Sequence, residues 1–354
     1  MHLRNIPIIS EEDLIDEYGL KLPVLWVNHF VGNYSGVPLD GVKFCDYSNY
    51  KSPKTPWCPR VLELQNASFI GGVWCLYSIK HGYRINFPPL DYSHRLHAEH
   101  YTKYFNTHIE PNKQRIKGRT LLLSAQWSTE YYHFVWETLQ KLFYADKVIG
   151  LKNIDQIIIG ETDKPYIREW FKFLNYDDSK LKYVKPDQDY TCDVLYLVPQ
   201  ITRVGSVSYQ FCNFLEERLA IANLKKTPSK EIIYIQRKRR RILVNEQRLL
   251  KSLNFNNYIE IVNLESLPLF TQLQIFSNAK IIISPHGASF ANKLITKAKS
   301  VEIISHNSHN TCYLNHSAQY SIDHYYVMAD SRDYNLHISP SAIEAISNNL
   351  KALI

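Results

Sequence analysis

The stretch Lys280-Ile-Ile-Ile-Ser-Pro-His-Gly-Ala-Ser-Phe-Ala-Asn-Lys-Leu-Ile-Thr296, running on to Val301-Glu-Ile-Ile-Ser305, decides the fold. Ile281, Ile282 and Ile283 form a β-branched run suited to a buried strand, Pro285 stops it, and Gly287 permits a tight turn. An apolar-periodic segment at Phe290, Leu294 and Ile295 follows, so the order is strand, loop, helix, strand. A loop at the carboxyl end of a parallel strand, opening a helix whose first N–H groups point outward, is a favourable place for a phosphate. The expectation is a phosphate grip at His286, Gly287, Ala288 and Ser289.

Outward from this stretch the same alternation continues. Glu231 to Gln236 and Ile259 to Val262 read as strands, with a helix from Leu267 to Ala279. Earlier in the chain, Thr120 to Ser124, Asp155 to Gly160, Leu181 to Val184 and Val194 to Val198 read as strands, with helices over 131–143, 166–174 and 208–223. Alternation of this kind implies parallel sheets with helices on their faces. Residues 60–87 read as a small antiparallel sheet, and Ser10 to Gly19 as a short capped helix. At 354 residues the chain is long for one core, and a usual domain size of about 100–200 residues gives two. Lys225-Lys-Thr-Pro-Ser-Lys230 is the best linker, charged and proline-bearing between a helix and a strand. The expected domains are 1–227, with a β and loop elaboration at its start, and 228–354, ending in an amphipathic helix from Pro340 that packs back across both.

Eight basic residues and one acid between Lys225 and Arg241 account for the whole formal charge of +7. The remainder is neutral, which suits a local anion site better than a basic face spread along a duplex. Five consecutive cations, Arg237-Lys-Arg-Arg-Arg241, are commonly a solvated run or a nucleic-acid patch. A non-enzymatic protein that grips nucleic acid or an anionic surface is therefore the competing reading. Position argues for a ligand site: these side chains leave the end of a parallel strand, where such folds bind ligands. Arg237 and Arg241 are suited to bidentate phosphate contacts. Glu302, on the last strand of the opening stretch, is placed like a carboxylate that accepts from ribose hydroxyls, and a core-edge glutamate paired to a lysine is the alternative.

A helix over Tyr131-Tyr-His-Phe-Val-Trp-Glu-Thr-Leu-Gln-Lys-Leu-Phe143 puts Val135, Leu139 and Leu142 on one stripe. His133, Glu137 and Lys141 then stack on another, flanked by Tyr132 and Trp136. An exposed i, i+4 pair that merely steadies a helix is one reading. A general base with its orienting partner is the other.

Other features exclude more than they assert. The composition, 45% hydrophobic and 21% charged with 25 Tyr and 6 Trp, is that of a globular chain rather than a disordered one. Six cysteines without a C-x-x-C pair argue against a zinc ribbon or a dense disulfide framework. His94, His97 and His100 drift around a helix without a second cluster, and Asp187-Gln-Asp189 is too short to specify a metal site. No metal or cofactor is expected. The absence of a signal-peptide h-region and of long apolar runs leads to the expectation of a cytoplasmic chain, peripheral to a membrane at most.

Together these segments resemble glycosyltransferase family 61. Trp127-Ser-Thr-Glu-Tyr-Tyr-His-Phe-Val-Trp-Glu137 is similar to its N-Y-x-H-W-x-x-E region, and Tyr234 to Lys238 with Arg240-Arg-Ile-Leu-Val-Asn-Glu246 to its strand-end arginine and R-x-x-N-E element. Leu264-Glu-Ser-Leu267, Gln272, Phe276, Ala279, Pro285-His-Gly-Ala288, Asn292 and Val301-Glu-Ile303 resemble its most recognisable block. Ser289 and Gln236 depart from the usual glycine and serine. The resemblance implies an α/β architecture of the GT-B type, two Rossmann-like domains facing a central cleft, and metal-independent, inverting transfer from a nucleoside-diphosphate sugar. UDP-sugar is the expected donor and a glycan or glycolipid hydroxyl of surface polysaccharide synthesis the expected acceptor. It implies donor-diphosphate contacts from Arg237, Arg241 and His286 to Ser289, nucleoside contacts from Asn292 and Glu302, and a catalytic base from His133 or Glu137. Homo-oligomerisation is left open, and nucleic acid is not an expected partner.

Overall fold

Apolar β-branched runs form the inner strands of two sheets, one in each of two compact units that meet in sequence between Phe211 and Cys212. The computed structural model describes residues 37–38, 61–71, 76–78, 83–85, 113–124, 127–186, 188–198, 201–202, 206–222, 230–253, 259–306, 310 and 312–353. The helix expected over 10–19, the histidines His94, His97 and His100, Asp187 and linker residues 225–229 lie outside these.

The strands in chain order are β1 Val37–Pro38, β2 Leu62–Gln65, β3 Ser68–Ile70, β4 Leu76–Ser78, β5 Tyr83–Ile85, β6 Gln114–Leu122, β7 Gln156–Gly160 and β8 Leu181–Tyr183. They continue as β9 Asp189–Leu197, β10 Ile232–Ile235, β11 Ile259–Val262, β12 Ile281–Pro285, β13 Lys299–Ser305, β14 His324–Arg332 and β15 Asn335–His337. The α-helices are α1 Tyr131–His133, α2 Leu139–Ile149, α3 Pro165–Phe173, α4 Tyr209–Ile221, α5 Glu246–Ser252, α6 Leu269–Asn278, α7 Cys312–Gln319 and α8 Pro340–Leu353.

The first sheet runs β5-β4-β3-β9-β6-β7-β8, with β2 also on β9. Its β8-β7-β6-β9 part is parallel. The strands expected as a separate small sheet over 60–87 are antiparallel additions to this one. β2 and β3 pair with β9, which is longer than expected because Tyr190 and Thr191 continue its ladder to β3 on one side and β6 on the other. Chain reversal in strand order falls between β6 and β9, the topological switch point of this unit.

The second sheet runs β1-β14-β13-β12-β10-β11, parallel throughout, with β15 antiparallel on β14. Counting from β10, its order is that of a doubly wound sheet with the switch point between β10 and β12. Side chains alternate across a strand, so Ile281, Ile283, Val301 and Ile303 share one core with Leu249 of α5 and with Ala342, Ile343, Ile346 and Leu350 of α8. Glu302, between Val301 and Ile303, points to the other face. That face is covered too, so Glu302 has no exposed surface. The helix expected after Gly287 is a 3-10 helix, Ala288–Ile295, in which Phe290 to Ile295 are all buried. It is enclosed rather than amphipathic. Asn292 donates to Gln272 Oε1 at 2.8 Å, and Lys293 donates to Ser300 Oγ.

Candidate active site

Both ends of the second unit's switch point carry the residues singled out from the sequence. β10 delivers Gln236 and Arg237, and β12 delivers His286 and Gly287. Arg237 folds onto the loop after β12: its Nη1 donates to Ser289 Oγ at 3.1 Å and its Nε to Arg240 O at 2.8 Å. A methyl group at Gly287 would overlap the Arg237 guanidinium. Gly287 itself has an extended backbone, φ 163, so closeness of approach and not conformation demands glycine there. Arg241 Nη1 donates to His286 O at 3.2 Å. Ala288 is exposed beside half-buried Ser289. Burial and the neighbouring Arg241 charge push the Arg237 pKa down, so the pair is two like charges held side by side, a repulsion that an anion would relieve.

The basic segment is built to hold this position. Glu246 accepts from Tyr234 OH at 2.9 Å and from Gln236 Nε2 at 2.6 Å. Asn245 Nδ2 donates to Ile338 O at 2.7 Å while its Oδ1 accepts from Ile338 N. Arg241 N donates to Tyr334 O at 3.1 Å, and Val244 N to Leu336 O at 2.8 Å. Arg241, Asp333 and Tyr334 all have left-handed backbones, φ 56, 51 and 64, a conformation that side-chain-bearing residues adopt at a cost. Lys238, Arg239 and Arg240 are exposed.

Behind the loop lies a buried relay. His286 Nδ1–H donates to Glu302 Oε1 at 2.5 Å, and His324 Nε2–H donates to Glu302 Oε2 at 3.0 Å. Ser317 Oγ is 3.0 Å from His324 Nδ1, and Tyr313 OH donates to Gly287 O at 2.8 Å. Burial pushes the Glu302 carboxyl up, but the His286 charge and the hydrogen bonds from both histidines outweigh it, leaving its pKa lowered to about 2. Burial lowers the pKa of His324 and takes that of Lys293 down to about 7. Asn292 and Glu302, expected at a nucleoside, are both fully buried, and both oxygens of Glu302 accept from histidines. The lysine alternative for Glu302 is replaced by the two imidazoles.

In the first unit, the chain leaving β6 enters α1 at the switch point. A π-helical turn, Phe134–Thr138, interrupts the helix, a feature that marks functional sites more often than plain helix does. Across this turn His133 Nδ1 lies 3.1 Å from Glu137 Oε2, with side-chain exposures of 17% and 11%. The pair is therefore half-sheltered, and an exposed surface pair does not describe it. Lys141, expected in the same row as His133 and Glu137, is buried, and burial lowers its pKa to about 8 despite the Glu137 charge. Tyr132 stacks on Trp136 at 5.3 Å, and the Trp127 ring lies 5.3 Å from that of His133. Gln140 ties this helix to the segment after β9: its Nε2 donates to Thr202 Oγ1 at 3.2 Å, and its Oε1 accepts from Ser208 N at 2.9 Å.

Tyr313, Ser317 and His324 escaped the sequence reading, which passed over residues 306–339. Two signals were present. Asn310 caps α7, accepting from Cys312 N at 2.9 Å, and His324-Tyr-Tyr-Val-Met-Ala329 has strand composition. A lone carboxylate on an enclosed strand also requires a cationic or donor partner.

Residues 131–303 match the model of the family described as Glycosyltransferase 61. No curated protein matches the chain. The match starts two residues before His133 and ends one residue after Glu302, so it spans the His133–Glu137 pair and the Arg237–Gly287 contact with Glu302 behind it. It supports glycosyltransferase activity in general, with a sugar donor and an acceptor. No helix among the described residues is long and apolar enough to cross a membrane. Residues 131–303, which hold His133, Glu137, Arg237, Gly287 and Glu302, are thus the part of the chain similar to glycosyltransferase family 61.

Proposed function

We propose that the protein is a GT-B enzyme that transfers a sugar, with inversion and without a metal, from a nucleoside diphosphate (UDP first among the candidates) to a glycan hydroxyl in surface polysaccharide synthesis. The observation that carries this reading is the Arg237–Gly287 contact at the switch point of the second sheet, where strand ends in such folds receive ligands. Arg237, Arg241 and the amides after Gly287 would stabilise negative charge growing on the leaving diphosphate, the task a metal performs elsewhere. His286, its Nδ1 committed to Glu302, would have only Nε2 left for the same group. In the first unit, Glu137 accepts from His133 Nδ1–H, which selects the tautomer whose Nε2 can take the acceptor proton. His133 is the base and Glu137 orients it.

A melting-shift panel of UDP, GDP and CMP tests the donor assignment, because a ligand bound at 100 times its Kd stabilises by about 2.7 kcal/mol. A nucleoside diphosphate should raise the melting temperature in the presence of EDTA, and Arg237→Ala should remove the shift. No shift with any nucleotide would overturn the donor assignment. The competing nucleic-acid reading predicts instead tight, steeply salt-dependent binding to duplex or single strands and indifference to UDP. The inward commitment of Arg237 and Arg241 speaks against it.

A further inference from the structure

Trp127 stands beside the His133–Glu137 pair, its ring 5.3 Å from that of His133 at an interplanar angle of 33°. It is 39% exposed, so core packing does not account for it. Its backbone is left-handed, φ 63, an uncommon conformation for so bulky a residue and one that persists only where its surroundings enforce it. The surroundings here do so from several sides. Glu130 N donates to Trp127 O at 2.7 Å, and buried Ser128 Oγ donates to Ile159 O at 2.5 Å. Thr138 Oγ1 donates to Ser128 O at 3.3 Å, and Tyr166 OH donates to Thr129 O. Thr129 sits against Gly160, where even a methyl group would collide with it. A rigid turn thus holds a partly exposed indole beside the group that takes a hydroxyl proton.

A pyranose has an apolar C–H face and polar edges. An indole face accommodates the first and leaves the hydroxyls on the second free to meet a base, the amphipathic use of aromatic rings seen at recognition surfaces. We propose that Trp127 is the stacking platform for the acceptor, and that the acceptor presents a sugar ring there, with one of its hydroxyls directed to His133. This rests on the assignment of His133 and Glu137 to the acceptor side. It narrows the acceptor to a glycan whose reacting residue offers a C–H face.

The test uses the full chain and methyl glycosides of glucose, galactose, N-acetylglucosamine, mannose, xylose and rhamnose, read by saturation-transfer NMR. At least one glycoside should take up saturation through the protons of one ring face. The signal should fall about fivefold or more in Trp127→Ala and Trp127→Gly and survive in Trp127→Phe, which keeps an aromatic face. Trp127→Gly relieves the left-handed backbone, and its melting temperature, read on the same sample, separates a loss of signal from a loss of fold. Retention of the signal in a stably folded Trp127→Gly protein, or no saturation of any glycoside by wild type, would overturn the platform. A glycoside signal that disappears in Trp127→Gly, together with no melting shift from UDP, GDP or CMP, would leave the platform standing and remove the donor assignment.

Discussion

Gly287 and Arg237 show how closely one residue can set another. Because Gly287 is extended, alanine there costs no backbone strain, and the atoms it would strike are the tip of a flexible side chain. Gly287→Ala should therefore fold with nearly wild-type stability while displacing the guanidinium. Nucleoside-diphosphate affinity should drop about tenfold or more, some 1.4 kcal/mol, as titration calorimetry would read. Unchanged affinity would mean that Arg237 does not hold the ligand. Glu302 permits a second test. Its folded pKa, about 2, lies below its ordinary value of 4.5. The stability it contributes is present above pH 4.5 and is lost as pH falls toward 2, a contribution on the order of a few kcal/mol. Glu302→Gln should be less stable at neutral pH and should lose that part of the acid slope in urea denaturation series. A variant whose acid slope matched wild type would show that the carboxylate is not held ionised by its histidines.

At the scale of elements, the basic segment after β10 is a clamp. Asn245 fastens it to Ile338 with a donor and an acceptor, and the left-handed turn at Asp333 and Tyr334 receives Arg241. Asn245→Ala leaves the Ile338 backbone groups without this partner and should destabilise by about 1–3 kcal/mol, with a parallel loss of diphosphate affinity as Arg241 is released. Destabilisation without any change in affinity would separate the clamp from the site. Asp333→Gly should act in the opposite sense, stabilising by up to about 1 kcal/mol by relieving a left-handed residue, measurable as a rise in melting temperature. Element types were largely legible in the sequence. The isoleucine run of β12 and the buried stripe of Val135, Leu139 and Leu142 appear where periodicity places them, the first of the three in the π-helical turn and the others in α2. The 3-10 character of 288–295 was not legible, because Phe290 to Ile295 are all buried, Asn292 and Lys293 among them, and burial of polar residues does not show in the segment's own pattern.

At the scale of the whole molecule, each unit contributes one switch point to the proposed chemistry. Hydrogen exchange with saturating UDP should protect residues 232–244 and 281–296, where strand ends and the basic segment meet the ligand, and a methyl glycoside bound at Trp127 should protect 127–138 instead. Nucleotide protection confined to 127–138 would reverse the roles of the two units. The sequence by itself determined the alternation of strands and helices, the strand-end positions of Arg237 and His286, and the i, i+4 placement of His133 and Glu137. These follow from side-chain period and turn chemistry, which act over a few residues. Only the tertiary structure decided that Glu302 faces His286 and His324, that Gly287 must be bare to admit Arg237, and that Trp127 stands beside His133. Most of those contacts join residues far apart in the chain. They arise because parallel strands and a covered sheet bring their ends together, and that leaves no mark in local periodicity.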